Sequence, residues 1–529
     1  MLKLYKRSLP TKTSNGLTLF WVPGGMPLML HLEGAIAAAL KLRGQKVHAI
    51  ICDGIFSACV KRVITDEISI AEWGDTCAQC KKICSATLTQ FGIEHSFIGD
   101  YVSCAEFKGA QELSRAETFS TVEKMQHRGV VFGKNVKSSI IRFLQGHKLP
   151  KNSDLLQAYA FSGQISAIAA SNVLDKLKPS RVFMSHGSYV DWGPALHISL
   201  ERAVPVTAWM ASYLPSKFYF RHIPDRLNID FHNMSDGAWK EVVSQELTAG
   251  QRVGLEKFLD DRYQHNASFD MPRLKEYVGN KHEIQNRYDL NSSKPVWGIL
   301  THINWDAVCD YAPMLYDSFD DWIIDTINIA IEVPGVQWLV KIHPAETLDN
   351  QPGTGVEALI LRTFPNLPEN IKLISAEEDI SPLDFFELVD GAITVYGTPG
   401  LELAMKGRPV ILAGDAHYGK KGFTYDAQNR RAYQDMLRQT TSIGPLEESR
   451  VDLAKKYAYC YFFSRQVPVS AVFNADAKWW GFQIGDRESL LPGMDPAIDF
   501  LCDRILDGKD FIMSPELEAK ANNFMKRKT

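Results

Sequence analysis

The chain has 529 residues, is 45% hydrophobic and 23% charged, and carries a formal net charge of −4. That length suits more than one domain, with the apolar share of an ordinary globular protein. The balance supplies no basic field for nucleic acid, and short basic spots such as Lys420-Lys421 and Lys526 to Lys528 read as solvated surface.

The opening MLKLYKRSLPTKTSNG is basic but lacks the apolar core of a signal peptide. No run reaches the ~18 apolar residues of a membrane helix. The expectation is a cytoplasmic protein, at most peripheral to the inner face of a membrane. The nine cysteines are an odd number in a long chain, which favours reduced thiols over a disulfide framework.

In chain order, LTLFWV from Leu17 predicts a strand, PGGMP a loop, and LMLHLEGAIAAALKLRG a helix that Gly44 stops. KVHAIIC is the next strand and ends at Asp53-Gly54. This strand–helix–strand unit is the repeat of a parallel sheet. After it come Cys59, Cys77, Cys80 and Cys84. CAQC has CxxC spacing and Cys84 adds a thiol one turn on. Four thiolates suit a structural zinc site. Equally, Cys80 and Cys84 can share a helix face as reduced thiols.

Residues 105–180 predict mostly helix. RVFMSHG is a second strand, ending at His186-Gly187, followed by a helix and the strand VPVTAWMA. Residues 235–287 read as polar helix, and NRYDLNSSKP, 286–295, as a linker. A second α/β series follows it. VWGILT, VQWLVKI, IKLIS, GAITVY and RPVILA are strands, alternating with helices such as DDWIIDTINIAIEV. The sequence predicts residues 1–287 as one α/β domain with helical insertions, 295–480 as another, and 481–529 as a helical segment packing back on the first.

Ligands of open parallel sheets sit beyond the carboxyl ends of the strands, which directs attention to the residues just after each strand. Asp53 and His186, with Asp191 nearby, are candidate bases there, or turn residues. His343-Pro344 ends VQWLVKI, and Pro344 holds His343 extended. In VYGTPGLELAM, Thr398 can cap a helix that Pro399 begins, while Gly397 and Gly400 admit a close ligand. The helix start offers N–H groups to a phosphate, and Glu402 can accept from sugar hydroxyls or merely complement the helix dipole. GDAHYGKK nearly spells a P-loop, but Lys421 stands where a Ser or Thr would bind magnesium, so that reading is rejected.

Gly400-x-Glu402, Gly407-x-Pro409-Val410, Gly414, Tyr418, Gly422 and Thr424 together resemble the carboxyl-terminal module of bacterial capsule polysaccharide biosynthesis glycosyltransferases, β-Kdo transferases included. Lys341-Ile342-His343-Pro344 is similar to the family's His-Pro motif, and THINWDA, 301–307, to the opening strand-loop of its donor domain. CDP-glycerol glycerophosphotransferases are a more distant resemblance. The likeness covers residues 295–430.

The resemblance implies the GT-B fold, two Rossmann-like doubly wound α/β domains facing a cleft. In its terms His343 and Pro344 contact the donor phosphate. Gly397, Thr398, Pro399, Gly400, Glu402 and Tyr418 line the nucleotide pocket. The family's acidic-Asp-Gly element, tied to the catalytic base, falls on Cys52-Asp53-Gly54, with a cysteine in place of the acid. Its Gln-Ala-Ser element is replaced by Tyr396-Gly397-Thr398-Pro399. The implied activity is inverting transfer of a sugar, first a CMP-activated Kdo or nonulosonic sugar, to a glycan or lipid-linked glycan. No cofactor is required, with structural zinc at the four cysteines as an option. The alternatives are a glycerophosphotransferase and a non-catalytic, zinc-stabilised GT-B scaffold.

Overall fold

The computed structural model of the chain describes every residue except 2–3, 6–15, 63–72, 146–153, 215, 265–276, 307, 311, 350–352, 379, 474–482, 485–486 and 528–529. Parts of the sequence reading therefore lie outside the described residues. These include most of the basic N-terminus, 146–153 of the helical stretch 105–180, 265–276 of the polar helical stretch, Ala307 of THINWDA, 474–480 of the predicted second domain, 481–482 and 485–486 of the predicted last segment, and Lys528. The chain forms two compact units. One gathers residues 1–144, 148–231 and 463–529, the other 145–147 and 232–462.

The first unit is built on strands β1 (Leu17–Val22), β2 (Lys46–Ile51), β3 (His95–Phe97), β4 (Arg181–Ser185), β5 (Val206–Ala211) and β6 (Lys217–Ile223). Their spatial order is β6-β5-β4-β1-β2-β3, with the short strand Val467–Pro468 beyond β6. β1 runs parallel to both neighbours, with Trp21 opposite Ile50 on one side and Met184 on the other. β6 alone in this sheet runs against the rest, pairing antiparallel with β5 and with the strand beyond it. β1 is apolar apart from Thr18, and buried from Thr18 to Val22, because a parallel sheet is covered on both faces.

Between β1 and β2 lies α1 (Pro27–Leu42), which begins with a proline in its first turn and is stopped by Gly44 at φ 80°. α1 is buried on nearly every residue, Glu33 included. Trp209 Nε1 donates to Glu33 Oε1 at 2.8 Å, and burial pushes the Glu33 carboxyl up to about 8. α2 (Gly74–Phe91) follows β2, α3 (Leu155–Leu177) precedes β4, and α4 (Tyr189–Glu201) follows it.

The second unit includes α5 (Ala249–Gln264) and then alternates β7 (Val296–Leu300), α6 (Phe319–Ile331), β8 (Gln337–Lys341), α7 (Val356–Thr363), β9 (Ile371–Ile374), α8 (Pro382–Leu388), β10 (Gly391–Thr394), α9 (Thr398–Met405), β11 (Val410–Leu412) and β12 (Tyr425–Asp426). Every pairing is parallel, and the order is β9-β8-β7-β10-β11-β12. Counted within the unit this is 3-2-1-4-5-6, the Rossmann order. Trp297, Ile299, Trp338, Val340, Ile393 and Ile411 from neighbouring strands share one buried cluster with α6.

The alternation predicted for both halves is therefore present, but the units divide elsewhere than at 286–295. That stretch lies inside the second unit, where Asn291 N–H donates to Gln337 Oε1 at 2.6 Å. Residues 463–529 belong to the first unit, including helix Pro496–Asp507, where Arg43 and Asp499 form an ion pair. The P-loop-like GDAHYGKK leads into β12 and not into a helix. Among the described residues no helix is long and apolar enough to cross a membrane.

Candidate functional site

In a sheet of this order, the crevice lies where the order reverses, outside the carboxyl ends of the first and fourth strands. In the second unit those strands are β7 and β10. The chain leaves β7 through Thr301 and His302 and leaves β10 through Thr394 and Val395 to Gly397. His302 ties the two exits together. Its Nε2 accepts the N–H groups of Val395 and Tyr396, each at 3.2 Å, and lies 3.1 Å from Thr394 Oγ1. An acceptor Nε2 places the ring proton on Nδ1. The ring stacks on Phe319 at 4.8 Å and 12°. Burial, with His343 adding a smaller push, lowers its pKa to about 3. His302 is thus a neutral structural acceptor near pH 7.

One strand over, His343 follows β8. Its backbone N–H donates to Thr301 Oγ1 at 2.9 Å, and Thr301 Oγ1 donates to the Lys341 carbonyl at 3.1 Å. His343 Nδ1 accepts from Ala345 N–H at 3.2 Å, so when the ring is neutral its proton sits on Nε2. Pro344 is exposed. The structure therefore brings His343 beside the exit of β7, as a hydrogen-bond donor adjacent to the His302 knot.

Gly397, not Thr398, is the N-cap of α9, and no side chain caps it. The correction has a local cause. Thr394 Oγ1 already accepts the Gly397 N–H at 3.2 Å, so the capping threonine stands at the strand end and Thr398 enters the first turn beside Pro399. Tyr418 is fully buried and donates to the Gly397 carbonyl at 2.7 Å. A Cβ at Gly400 would lie 2.2 Å from the Tyr418 hydroxyl, which is why that position is glycine.

Glu402 is 0% exposed. Its Oε1 lies 3.4 Å from Nε of Arg262, itself 2% exposed, and Tyr263 donates to Oε2. Both partners come from α5, so this carboxylate anchors α9 to α5. It is not presented at the strand ends with His343 and Gly397.

The first unit reverses its order between β1 and β4. There a small pocket, with about 30 Å³ open to water, is lined by Pro23 and Gly24 after β1, Cys52 and Gly54 after β2, and Asp191 and Trp192 of α4. Asp53 and His186 are not among its lining residues. Asp53 Oδ1 accepts from Gly99 N–H at 3.3 Å, and His186 Nδ1 accepts from Ser188 N–H at 3.1 Å. Asp191 is 1% exposed; its Oδ2 accepts from Val60 N–H at 3.0 Å, and burial raises its pKa to about 7.

Cys59, Cys77 and Cys80 also line this pocket, and all nine cysteines are free thiols. Among the described residues no three His, Cys, Asp or Glu side chains converge on a possible metal. The four-thiolate zinc site is therefore corrected. Cys77 and Cys84 stand seven residues apart on α2, about 10 Å along the axis, whereas two thiolates on one zinc lie within about 4.6 Å. Cys84 instead donates a hydrogen bond to Cys80, which holds the Cys80 thiol down at about 6.

His302 and Thr394 did not emerge as candidates from sequence reasoning. The available signal was a histidine two residues past a strand end in THINWDA and a threonine closing GAIT, but nothing in spacing joins positions 92 residues apart.

Residues 254–443 match the family of capsule polysaccharide biosynthesis proteins. That range contains β7 to β12, His302, His343, the Gly397 turn, Glu402 and Arg262. No curated protein matches the chain. Among solved structures, the KpsC β-Kdo 2,4 transferase of Thermosulfurimonas dismutans is similar at 16% identity over 52% of this chain and 79% of that one, with a TM-score of 0.32. The KpsC β-Kdo 2,7 transferase of the same organism gives 13%, 54%, 79% and 0.33. The UDP-GlcNAc 2-epimerase of Neisseria meningitidis gives 11%, 83%, 97% and 0.26. With TM-scores this low, the fold reading rests on the strand orders above.

Proposed function

We propose that this chain is a nucleotide-sugar-dependent glycosyltransferase of surface polysaccharide assembly, with its donor site in the second unit, because residues 254–443 match the model of the capsule polysaccharide biosynthesis family. One observation carries the reading. The family-matched segment puts His343 and the Thr394–Gly400 turn around the order reversal of a 3-2-1-4-5-6 sheet, the place where such sheets hold nucleotides.

In the proposed mechanism the donor's phosphate lies between His343 and the start of α9. His343 Nε2–H donates to a phosphate oxygen, and the helix start adds its positive dipole end. Charge that develops on the leaving nucleotide is met by groups already fixed in place. His302 contributes by holding Val395 and Tyr396, so the turn does not reorganise when the donor arrives. Glu402, through Arg262 and Tyr263, fixes the angle of α9. The reaction is a direct displacement at the anomeric carbon, with a base in the first unit taking the acceptor's proton. The donor is a CMP-activated Kdo or nonulosonic sugar, and the acceptor a glycan or lipid-linked glycan.

The test is a panel of CMP-Kdo, CMP-N-acetylneuraminate, UDP-glucose, GDP-mannose and CDP-glycerol with the purified chain. A thermal shift and release of CMP from a CMP-sugar are expected. Release of CMP from CDP-glycerol, with a phosphodiester product, would move the reading to glycerophosphate transfer. Neither binding nor release across the panel would end it. His343→Ala should lower nucleotide release at least tenfold if the imidazole meets the leaving phosphate.

A further inference from the structure

We propose that Cys80 is an oxidation site for hydrogen peroxide and that Cys84 resolves it, the two forming a reversible disulfide within α2. The first unit brings these two sulfurs to one place. A Cβ at Gly25 would lie 2.8 Å from the Cys80 sulfur and 3.2 Å from the Cys84 sulfur. Both sulfurs therefore converge on one backbone point of the loop after β1, and that point carries no side chain. Gly25 N–H and the Cys84 thiol each donate to Cys80 Sγ. A sulfur that accepts two hydrogen bonds is favoured as the thiolate, which is the form that attacks.

The two thiols differ in what can reach them. Cys80 is half-buried and lines the small pocket at the first unit's order reversal, together with Gly24, Cys52, Lys61 and Cys77. Cys84 is 1% exposed and lies outside the lining. The pocket's space of about 30 Å³ holds one molecule of about water's size. Hydrogen peroxide fits it, and a glutathione or peptide disulfide does not. An oxidant therefore meets Cys80 first, with Cys84 behind it.

The Cys84 hydrogen bond, the Lys61 ammonium and the Gly25 N–H hold the Cys80 thiol at about 6, against the opposing effect of burial. Cys84 is pushed far up by the bond it donates and by burial. The other ionisable groups facing the pair are Cys52, Cys77 and Asp191. Burial raises Cys77, so near pH 7 Cys80 is the charged thiol of the group.

In the first step the Cys80 thiolate attacks one oxygen of hydrogen peroxide. An S–O bond forms, the O–O bond breaks, and its electron pair leaves as hydroxide, which takes a proton from solvent. Sulfur is oxidised to the sulfenic acid and peroxide is reduced to water. The Cys84 sulfur then attacks the Cys80 sulfur. The S–O bond breaks, and hydroxide leaves with the Cys84 proton as a second water. Positions four apart on a helix put their Cα atoms about 6 Å apart, near the upper end for a disulfide. Their Cβ atoms, about 5–6 Å apart, exceed the usual disulfide spacing. The bond closes only by deforming the turn, which leaves it easily reduced, as a switch requires.

The experiment uses the full chain, reduced, freed of reductant and titrated with hydrogen peroxide near pH 7. Peptide mass mapping should find a Cys80–Cys84 disulfide that dithiothreitol reverses. Cys84→Ala should accumulate a Cys80 sulfenic acid that dimedone traps, and Cys80→Ser should lose thiols at least tenfold more slowly than the wild type. The wild-type oxidation rate should rise less than twofold from pH 7 to 9, where an ordinary thiol gains more than tenfold. Glutathione disulfide should leave no mixed disulfide on Cys80. Melting temperatures of the reduced variants report whether each keeps the fold, and the wild-type mapping needs no variant. If peroxide joins Cys80 to Cys77, or oxidises other thiols first, the pair is overturned. If Cys80→Ser oxidises as fast as the wild type, or purified chain carries zinc that protects both thiols, the oxidation site is overturned. A mixed disulfide with glutathione on Cys80 would overturn the assignment of peroxide as its oxidant.

Discussion

Both sheets reverse their strand order between their first and fourth parallel strands, yet the exits from those strands have opposite chemistry. In the second unit the exits are tied by polar contacts around a neutral, buried imidazole, and backbone N–H groups, hydroxyls and ring nitrogen satisfy each other. In the first unit the same place is an apolar, thiol-lined pocket with one carboxylate in its wall. The contrast shows that one topology can carry a polar, pre-ordered crossing in one unit and a small, largely apolar one in the other, according to the side chains just past the strands.

The largest expected effect tests whether Glu402 belongs to the framework of the second unit or to its ligand site. Glu402→Ala leaves the Arg262 guanidinium buried without its counter-charge, and stranding one partner of a buried pair costs about 3–5 kcal/mol. Thermal unfolding should show a large drop, smaller in Glu402→Gln, which can still accept from Tyr263. A variant that melts like the wild type but binds CMP more weakly would make Glu402 a ligand contact.

The contrast between Glu402 and His343 also shows what the sequence can reveal. The strand–helix alternation after Val296 was legible, and the 3-2-1-4-5-6 order follows from it. His343 was legible because strand end and proline are local signals. The burial of Glu402 was not, because its partners Arg262 and Tyr263 lie about 140 residues earlier on a helix with no distinctive pattern. His302 was missed for the same reason, since its meaning depends on strands that become neighbours only in the folded sheet. The unit boundaries were also hidden. The chain returns to the first unit at Phe463 without any glycine- or proline-rich linker to mark the passage.

Next in size is the knot itself. His302→Ala removes the acceptor of two backbone N–H groups, and an orphaned buried donor costs about 1–3 kcal/mol. The unfolding temperature should fall, and the affinity for CMP should drop about tenfold as the Val395–Gly397 turn loses its fixed shape. If affinity is unchanged while stability falls, His302 supports the sheet but not the site.

The two units should also respond to pH in opposite senses. His302 is neutral when folded, with its pKa lowered from 6.5 to about 3. Its unfolded form binds a proton below about pH 6.5, so the second unit loses stability as pH falls from there. Asp191 and Glu33 are raised to about 7 and about 8. They stay protonated in the fold over a range where the unfolded carboxyls ionise, so the first unit loses stability as pH rises from about 4 to about 8. Each group contributes up to about 1.4 kcal/mol per pH unit inside its window. Hydrogen exchange of β2 and β8 amides between pH 4 and 8, corrected for intrinsic rates, should give slopes of opposite sign. Slopes of the same sign would mean that these three groups do not govern the response.

The smallest effect separates the shape of the Gly397 turn from the stability of the unit around it. Tyr418→Phe removes the one hydroxyl that donates to the Gly397 carbonyl and keeps the ring that fills the buried space. One such bond is worth about 1 kcal/mol, a shift of only a few degrees in unfolding temperature. The same variant also makes room where a Cβ at Gly400 would strike the hydroxyl. Gly400→Ala alone should therefore destabilise more than Gly400→Ala does in the Tyr418→Phe background. A double-mutant cycle that is additive within about 0.3 kcal/mol would mean that the close approach does not couple the two positions. A coupled cycle with CMP affinity lowered in both single variants would place the Tyr418–Gly397 contact among the interactions that hold the turn ready for the phosphate.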